Sequence, residues 1–367
     1  MWIKIIPNDT LFFRTGRPFL MGFDTWADCI FPPYPSTIYG AIRTFLLFLR
    51  GSLKDFKEKG YPDIGSYEKK GDMKITGLFL GDNQALYFPI PLDLVMEKED
   101  KDRLLILSRI LKKPMNKSQI FFSDYMLEEL LVFTGRKNVE NPDGFLDDLE
   151  LKEYLENKKQ EFFYVKRKAL FGLELKTGIA RDKFTLSSRE GYLYRIQMVR
   201  LKEDIGIFVN LSDDVKDMPQ NGVFQLGGEG KTVCFEKLDK NPLEKLEKIN
   251  LELNNGLFKL YLATPAIFEK GWIPKWIDEN DLVGTKDGVR VKLISCAIGK
   301  YVKIGGWDIA KGRPKTMKKA VPAGSVYYFK VLNGKTSEDI KRAFHLKNMS
   351  DINPEEGFGY SLVGDVR

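Results

Sequence analysis

The stretch LGGEGKT at 226–232 ends like a phosphate-cradling loop. Such a loop needs a glycine five positions before its last one, followed by Lys and Ser/Thr, so that backbone N–H groups wrap the phosphates. Counting back from Gly230 reaches Gln225, so the opening glycine is missing. The residues that follow, TVCFEKL, are β-branched and aromatic and predict a strand, where a phosphate loop would run into a helix N-terminus. Gly227, Gly228 and Gly230 therefore predict a structural turn between two strands. Other chemistries are as hard to assemble. His345 is the only histidine, which excludes a paired-histidine nuclease and a histidine metal cluster; its stretch, TSEDIKRAFHLK, predicts a helix surface. Cys29, Cys234 and Cys296 lie far apart without a CxxC pair, arguing against zinc and for a reducing compartment. Asp24 and Asp28 are four apart and receive no metal. No catalytic residue, metal or cofactor is expected.

The cations are more informative. Arg14 and Arg17 flank Gly16 in FFRTGRPF, a turn that feeds the segment PSTIYGAIRTFLLFLR. In that predicted helix (36–50), Ser36 or Thr37 can cap the start, and Ile38, Ile42, Phe45 and Leu49 share one face. Ser36, Gly40 and Arg43 fall on the opposite face. A glycine inside a helix costs roughly 1 kcal/mol against alanine, so its bare backbone suggests a close approach. The occupant would be a phosphate or a tightly packed protein element. A second cluster, Arg181, Lys183 and Arg189, alternates with Phe184, Tyr192 and Tyr194, a mixture suited to holding phosphates and stacking bases. A third runs from Lys300 to Lys319, where Lys300, Lys303, Lys311, Arg313, Lys315, Lys318 and Lys319 are opposed only by Asp308. It predicts an anion-binding surface. The tail GFGYSLVGDVR adds Gly357, Gly359 and Gly364, with no following helix to make a dinucleotide site.

These residues need elements to hold them. The chain has 367 residues, enough for two or three domains, and 43% hydrophobic content lets it build real cores. Its longest apolar run, FLLFL at 45–49, is too short to cross a membrane, and the start, MWIKIIPNDTLFF, predicts a strand and no leader. A net charge of +7 is moderate, so the distribution matters more than the sum. Two strands are predicted around GDNQ, a charged helical insertion over 97–160, a long hairpin over 168–195, and a linker helix in NPLEKLEKINLEL. The order strand, helix, paired strands occurs twice. This predicts an α+β protein of two fused ferredoxin-like (RRM-like) domains with glycine-rich loops: 1–240 carrying the insertion, a linker at 241–256, and 257–367.

LFFRTGRPF, FPPYPSTIYGAIRT, TGIARDKFTLSSREGYLY, LGGEGK, GGWDIAKGRPKTMKKAVPAGSVYYF and GFGYSLVG occur in an order that resembles the RAMP superfamily of CRISPR proteins. Within it, the chain is most similar to the third-subunit group of the type III-B Cmr effector complex. The resemblance covers most of the chain except 97–160. It implies a non-catalytic cytoplasmic subunit, a monomer within a hetero-oligomer, that binds the 5′ repeat-derived tag of the guide RNA (crRNA). It also implies docking to the large palm-containing subunit and to the first backbone RAMP subunit. RNA contacts in the family come from the first helix, glycine-rich loops and a thumb-like hairpin. These correspond here to Ser36, Gly40 and Arg43, to the 357–364 loop, and to 178–189. The alternative is a metal-independent RAMP endoribonuclease that processes precursor crRNA with tyrosine and lysine.

Overall fold

The computed structural model describes residues 1–16, 25–100, 102–111, 126–215, 217–308 and 311–366. In the first half, β1 (Trp2–Pro7) leads to helix α1 (Pro35–Arg50) and β2 (Ile75–Gly81). Helix α2 (Asp148–Leu155) precedes a long hairpin, β3 (Phe171–Arg181) and β4 (Ser188–Leu201). The strands β5 (Gly206–Leu211), β6 (Asn221–Gln225) and β7 (Thr232–Leu238) complete this half. The second half contains β8 (Leu257–Leu262), β9 (Val289–Ala297), β10 (Val302–Ile304), β11 (Lys318–Ala320) and β12 (Val326–Val331). Helix α3 (Ser337–Phe344) and β13 (Tyr360–Asp365) follow.

Two sheets organise the chain. An eight-stranded sheet runs Val165–Lys166, Gly144–Asp147, Leu86–Pro89, β2, β5, β1, β7, β6; a six-stranded sheet runs Val283–Lys286, β9, β12, β8, β13, Lys347–Asn348. Their centres share one order. With the four strands of each centre counted along the chain, both β2-β5-β1-β7 and β9-β12-β8-β13 read second, third, first, fourth, with antiparallel neighbours. Helix α1 connects the first and second strands of one unit; α3 connects the third and fourth of the other. The protein is thus mixed α/β, strand-rich, with few helices.

The two sheets meet over a shared core. Phe79 of β2 contacts Phe88 and Tyr360 with ring centroids 4.6 and 5.4 Å apart. Leu151, Tyr154 and Leu155 of α2 enter the same cluster. Burying charge there is expensive unless every group finds a partner. Asp93, fully buried, accepts from both Tyr154 and Tyr328 hydroxyls, and the buried Lys259 ammonium donates to the Tyr154 carbonyl at 2.7 Å. No helix among the described residues is long and apolar enough to cross a membrane.

Three local expectations are corrected. Among its described residues, the 97–160 region is mainly short strands, including Arg103–Ile106, Ser108–Leu111, Glu129–Val132 and Gly144–Asp147, with one helix, α2. The run DDLELKEYLENKK carries α2, whereas the described residues of EKEDKDR lie at strand ends and in a turn. The predicted linker helix shrinks to Glu244–Glu247. Its apolar residues Leu243, Leu246, Ile249 and Leu251 are instead anchored in the cores, and that burial overrides helical propensity. Finally, α1 begins one residue before Ser36. Pro35 holds the first helical position, where its missing N–H costs nothing, and Tyr34 precedes it without a side-chain cap. The buried face is Ile38, Tyr39, Ile42, Leu46 and Leu47, while Leu49 is 50% exposed.

Candidate nucleic-acid interface

The basic segments come together through one methionine. Strands β10 and β11 pair in the register Val302↔Ala320, Lys303↔Lys319, Ile304↔Lys318, and beyond them Trp307↔Pro314 and Asp308↔Arg313 continue the arm. Met317 lies between this arm and the first half of the chain. A Cβ added to Gly16 would sit 2.5 Å from Met317 Cε, and one on Gly305 would overlap its Sδ. Both glycines therefore make room for that side chain, and the clasp sets the arm beside Arg14, which is exposed. Arg17 lies outside the described residues. On the arm, Arg313 and Lys315 are exposed and Lys318 is half-buried. None of the three is ion-paired among the described residues. Asp308 is already engaged: its carboxylate accepts the Lys311 N–H at 3.1 Å.

Helix α1 offers a more divided surface. Gly40 is open, with nothing within 4 Å of an added Cβ, and Ser36 is half-buried in the first turn. Arg43 corrects the expectation of a cation free for phosphate. Its Nε donates to the Ile64 carbonyl at 2.5 Å, its Nη2 to that of Ser66 at 2.8 Å, and its guanidinium lies 5.0 Å from the Phe56 ring centroid. Helical periodicity does place Arg43 opposite the core stripe, but the 60–71 loop folds over that face and takes its donors. Nearby, Lys70 ties the same loop to the 353–357 turn, donating to Asn353 Oδ1 at 3.1 Å and pairing with Glu355 and Glu356.

The three tail glycines are used within the chain. Gly357 has φ +98°, and a Cβ there would lie 2.9 Å from Ile75 Cγ2; Gly359 has φ +72° and backs onto the Ser350 N–H. Gly364 sits inside β13, where a Cβ would be 2.7 Å from the Leu155 carbonyl oxygen. Their missing side chains admit this chain's own backbone and side chains, which corrects their assignment as a bare loop presented to RNA. The same holds for the 227–230 turn, which joins antiparallel β6 and β7 as predicted. Gly228 N–H donates to the Phe12 carbonyl at 2.8 Å, and a Cβ on Gly227 (φ +80°) would overlap that oxygen, whereas Gly230 is open.

The predicted hairpin is present and longer than expected, spanning 171–201. At its tip Asp182 accepts the N–H groups of Phe184 and Thr185, and the Thr185 bond above all holds its carboxyl below the usual range. Phe184 is left 96% exposed. Arg181 and Arg189, on the strands, and Lys183, in the turn, are exposed around this tip, Arg181 Nε donating to the Leu186 carbonyl at 3.2 Å and Arg189 lying over Tyr192 at 4.7 Å.

Comparison with known proteins decides the family. The family model described as CRISPR-associated protein (Cas_Cmr3) matches residues 3–364. This chain belongs to the Cmr3 family. A Cmr3 subunit of the CRISPR system CMR complex from Saccharolobus solfataricus is 22% identical over 373 residues, covering 98% of this chain and 95% of that protein. Two chains in cryo-EM structures share the fold. One is from type III-B Cmr-beta bound to cognate target RNA and AMPPnP, with TM-score 0.53, 18% identity and coverage of 89% of this chain and 86% of that one. The other is from the same kind of complex bound to cognate target RNA, with TM-score 0.51, 19% identity and the same coverage. For a Cmr3-family chain, the residues the sequence reading missed are the exposed aromatics on the basic arm. Trp307 is 58% and Tyr301 45% exposed. The available signal was GGWD, an aromatic next to paired glycines at the head of an acid-poor stretch.

Among the described residues no three His, Cys, Asp or Glu side chains converge as a metal site would require. His345 closes the first half of the linker onto β13. Val363 N–H donates to its Nδ1 at 3.3 Å, so the ring proton is on Nε2, which donates to the Leu246 carbonyl at 2.8 Å. Burial pulls its pKa down to about 4.

Proposed function

We propose that this chain is the non-catalytic guide-RNA-binding subunit of a type III-B Cmr effector complex in antiviral defence. It holds the 5′ repeat-derived tag of the crRNA and docks the large palm-containing subunit and the first backbone RAMP subunit. It works in the cytoplasm, one copy per hetero-oligomer. Family membership supports this reading, and so do solved complexes of like-folded chains bound to target RNA. One observation carries the RNA contact: the clasp of Met317 with Gly16 and Gly305, which sets the unpaired cations of the arm beside Arg14. Such a surface attracts phosphates by counterion release. We read both halves as ferredoxin-like βαββαβ units, each keeping one of the two helices among the described residues; their shared strand order supports this. The assignment of no catalytic role is supported by the sole histidine, which is buried with both ring nitrogens engaged.

The test is binding of the chain, alone and with its large partner subunit, to RNA carrying the 5′ repeat tag and to a scrambled version. Salt is varied and cleavage products are checked on the same samples in EDTA. Tag-preferring, salt-sensitive binding without cleavage is expected. Metal-independent cleavage of repeat RNA would replace the proposal with the endoribonuclease reading.

A further inference from the structure

We propose that Trp307 is a stacking platform for one unpaired nucleobase of the RNA whose phosphates the arm holds. This deepens the RNA-binding reading and rests on it. Trp307 is 58% exposed, and its indole makes no hydrogen bond or ring contact among the described residues. Tyr301, the other exposed arm aromatic, differs in having Lys319 Nζ 4.9 Å from its ring centroid, so one ring face already has a cation.

The backbone around Trp307 is fixed. It pairs with Pro314, and opposite residues of an antiparallel ladder project to the same face, so the indole emerges beside a proline ring. Next to it, Lys315 N–H donates to the Gly306 carbonyl at 2.8 Å, and the Lys315 stem passes over Gly306, its Cδ 3.6 Å from where a Cβ would be. This sets a cation at the next position of the arm, on the face opposite the indole. The Met317 clasp ties the base of the arm to the first half of the chain, so the platform is held in place before RNA arrives.

The composition of the arm favours nucleic acid over a protein partner. Protein interfaces are enriched in aromatics but depleted of lysine; here Trp307 is set among Lys303, Lys315, Lys318 and Lys319 with one engaged acid. A free ring among unpaired cations is the arrangement that binds single strands, with bases stacked on the aromatic and phosphates on the lysines. Duplex RNA does not offer a base face, so the ligand is an unpaired nucleotide.

The test uses the full chain and fluorescein-labelled single-stranded RNA bearing the repeat-derived tag, together with a series in which each tag nucleotide in turn is made abasic. In the wild type one abasic position should cost about tenfold in affinity. Trp307→Ala should lose about the same factor on intact RNA and become indifferent to that abasic position. Trp307→Phe should keep most of the affinity. The slope of affinity against salt should not change, because no phosphate contact is lost. The platform is overturned if Trp307→Ala binds the whole series as the wild type does, or loses equally on every member. It is also overturned if the substitution spares RNA but weakens capture of the large subunit, which would make Trp307 a protein contact. A wild type that binds no tag RNA overturns the RNA-binding reading and the platform together, whereas tight wild-type binding with an inert Trp307 overturns the platform alone.

Discussion

The Arg43 guanidinium donates from Nε to the Ile64 carbonyl oxygen at 2.5 Å, across the mouth of the 60–71 loop. Ile64 is fully buried, so removing the donor leaves a buried carbonyl without a partner. Arg43→Ala should therefore lower stability by about 1–3 kcal/mol. Urea unfolding measures it, and an unchanged midpoint would show that the loop does not depend on Arg43. A loss of RNA affinity in this variant would follow loop disorder, so it has to be read beside the unfolding curve.

Gly40 and Gly364 should respond to alanine in opposite directions. Gly40 lies inside α1 with open space around it, so Gly40→Ala should stabilise the chain by about 0.5–1 kcal/mol through helix propensity alone. Gly364→Ala drives a methyl against the Leu155 carbonyl oxygen and should cost about 2 kcal/mol. Differential scanning calorimetry of the two variants settles both signs. If Gly40→Ala is as stable as expected yet binds tag RNA poorly, the α1 surface is part of the RNA path; full affinity would remove it.

These contrasts also mark what the sequence made legible. Helix α1, the 227–230 turn and the long hairpin follow from short-range patterns, namely a 3.6-residue period in α1, β-branched runs and glycine punctuation. The strand, helix, paired-strand order read twice holds only in the first half; in the second, the helix α3 lies between the third and fourth strands. What escaped depends on distant chain. Periodicity could place Arg43 opposite the core stripe but not reveal that residues 60–71 would cover it. Glycines 357, 359 and 364 were visible, but their occupants at Ile75, Ser350 and Leu155 come from other elements. In 97–160, runs such as EKEDKDR mimic helix surfaces. The strands there are only two to four residues long, too short for a two-residue alternation to show. Trp307 was hidden because exposure is a tertiary property.

The arm cations make a separate prediction. If Arg313, Lys315 and Lys318 each neutralise one phosphate, each alanine variant should reduce the slope of log affinity against log salt by about 0.7–1. The loss should be similar for tag and scrambled RNA, since phosphate contacts carry no sequence information. Anisotropy titrations at several salt concentrations give the slopes; an unaltered slope in all three variants would mean that the arm does not hold RNA phosphates.

His345 and Asp365 should make stability depend on acid in opposite senses. His345 titrates near 4 in the folded chain because burial disfavours its cation, against about 6.5 when unfolded. Between those values the unfolded state binds more protons, so this histidine's contribution is complete above pH 6.5 and is lost as pH falls towards 4. Asp365 is raised to about 6 by burial, above the ordinary carboxylate value near 3.9. There the folded state binds more protons, so acidification from 6 towards 4 stabilises. The two effects overlap and partly cancel in the wild type. His345→Gln removes the destabilising one while keeping a donor for the Leu246 carbonyl. Its stability, measured by urea unfolding between pH 7 and pH 4, should fall less steeply than that of the wild type, or rise. Parallel curves for the two proteins would mean that His345 is protonated in the folded chain well above pH 4, and hence that its pocket is wetter than the contacts with Leu246 and Val363 imply.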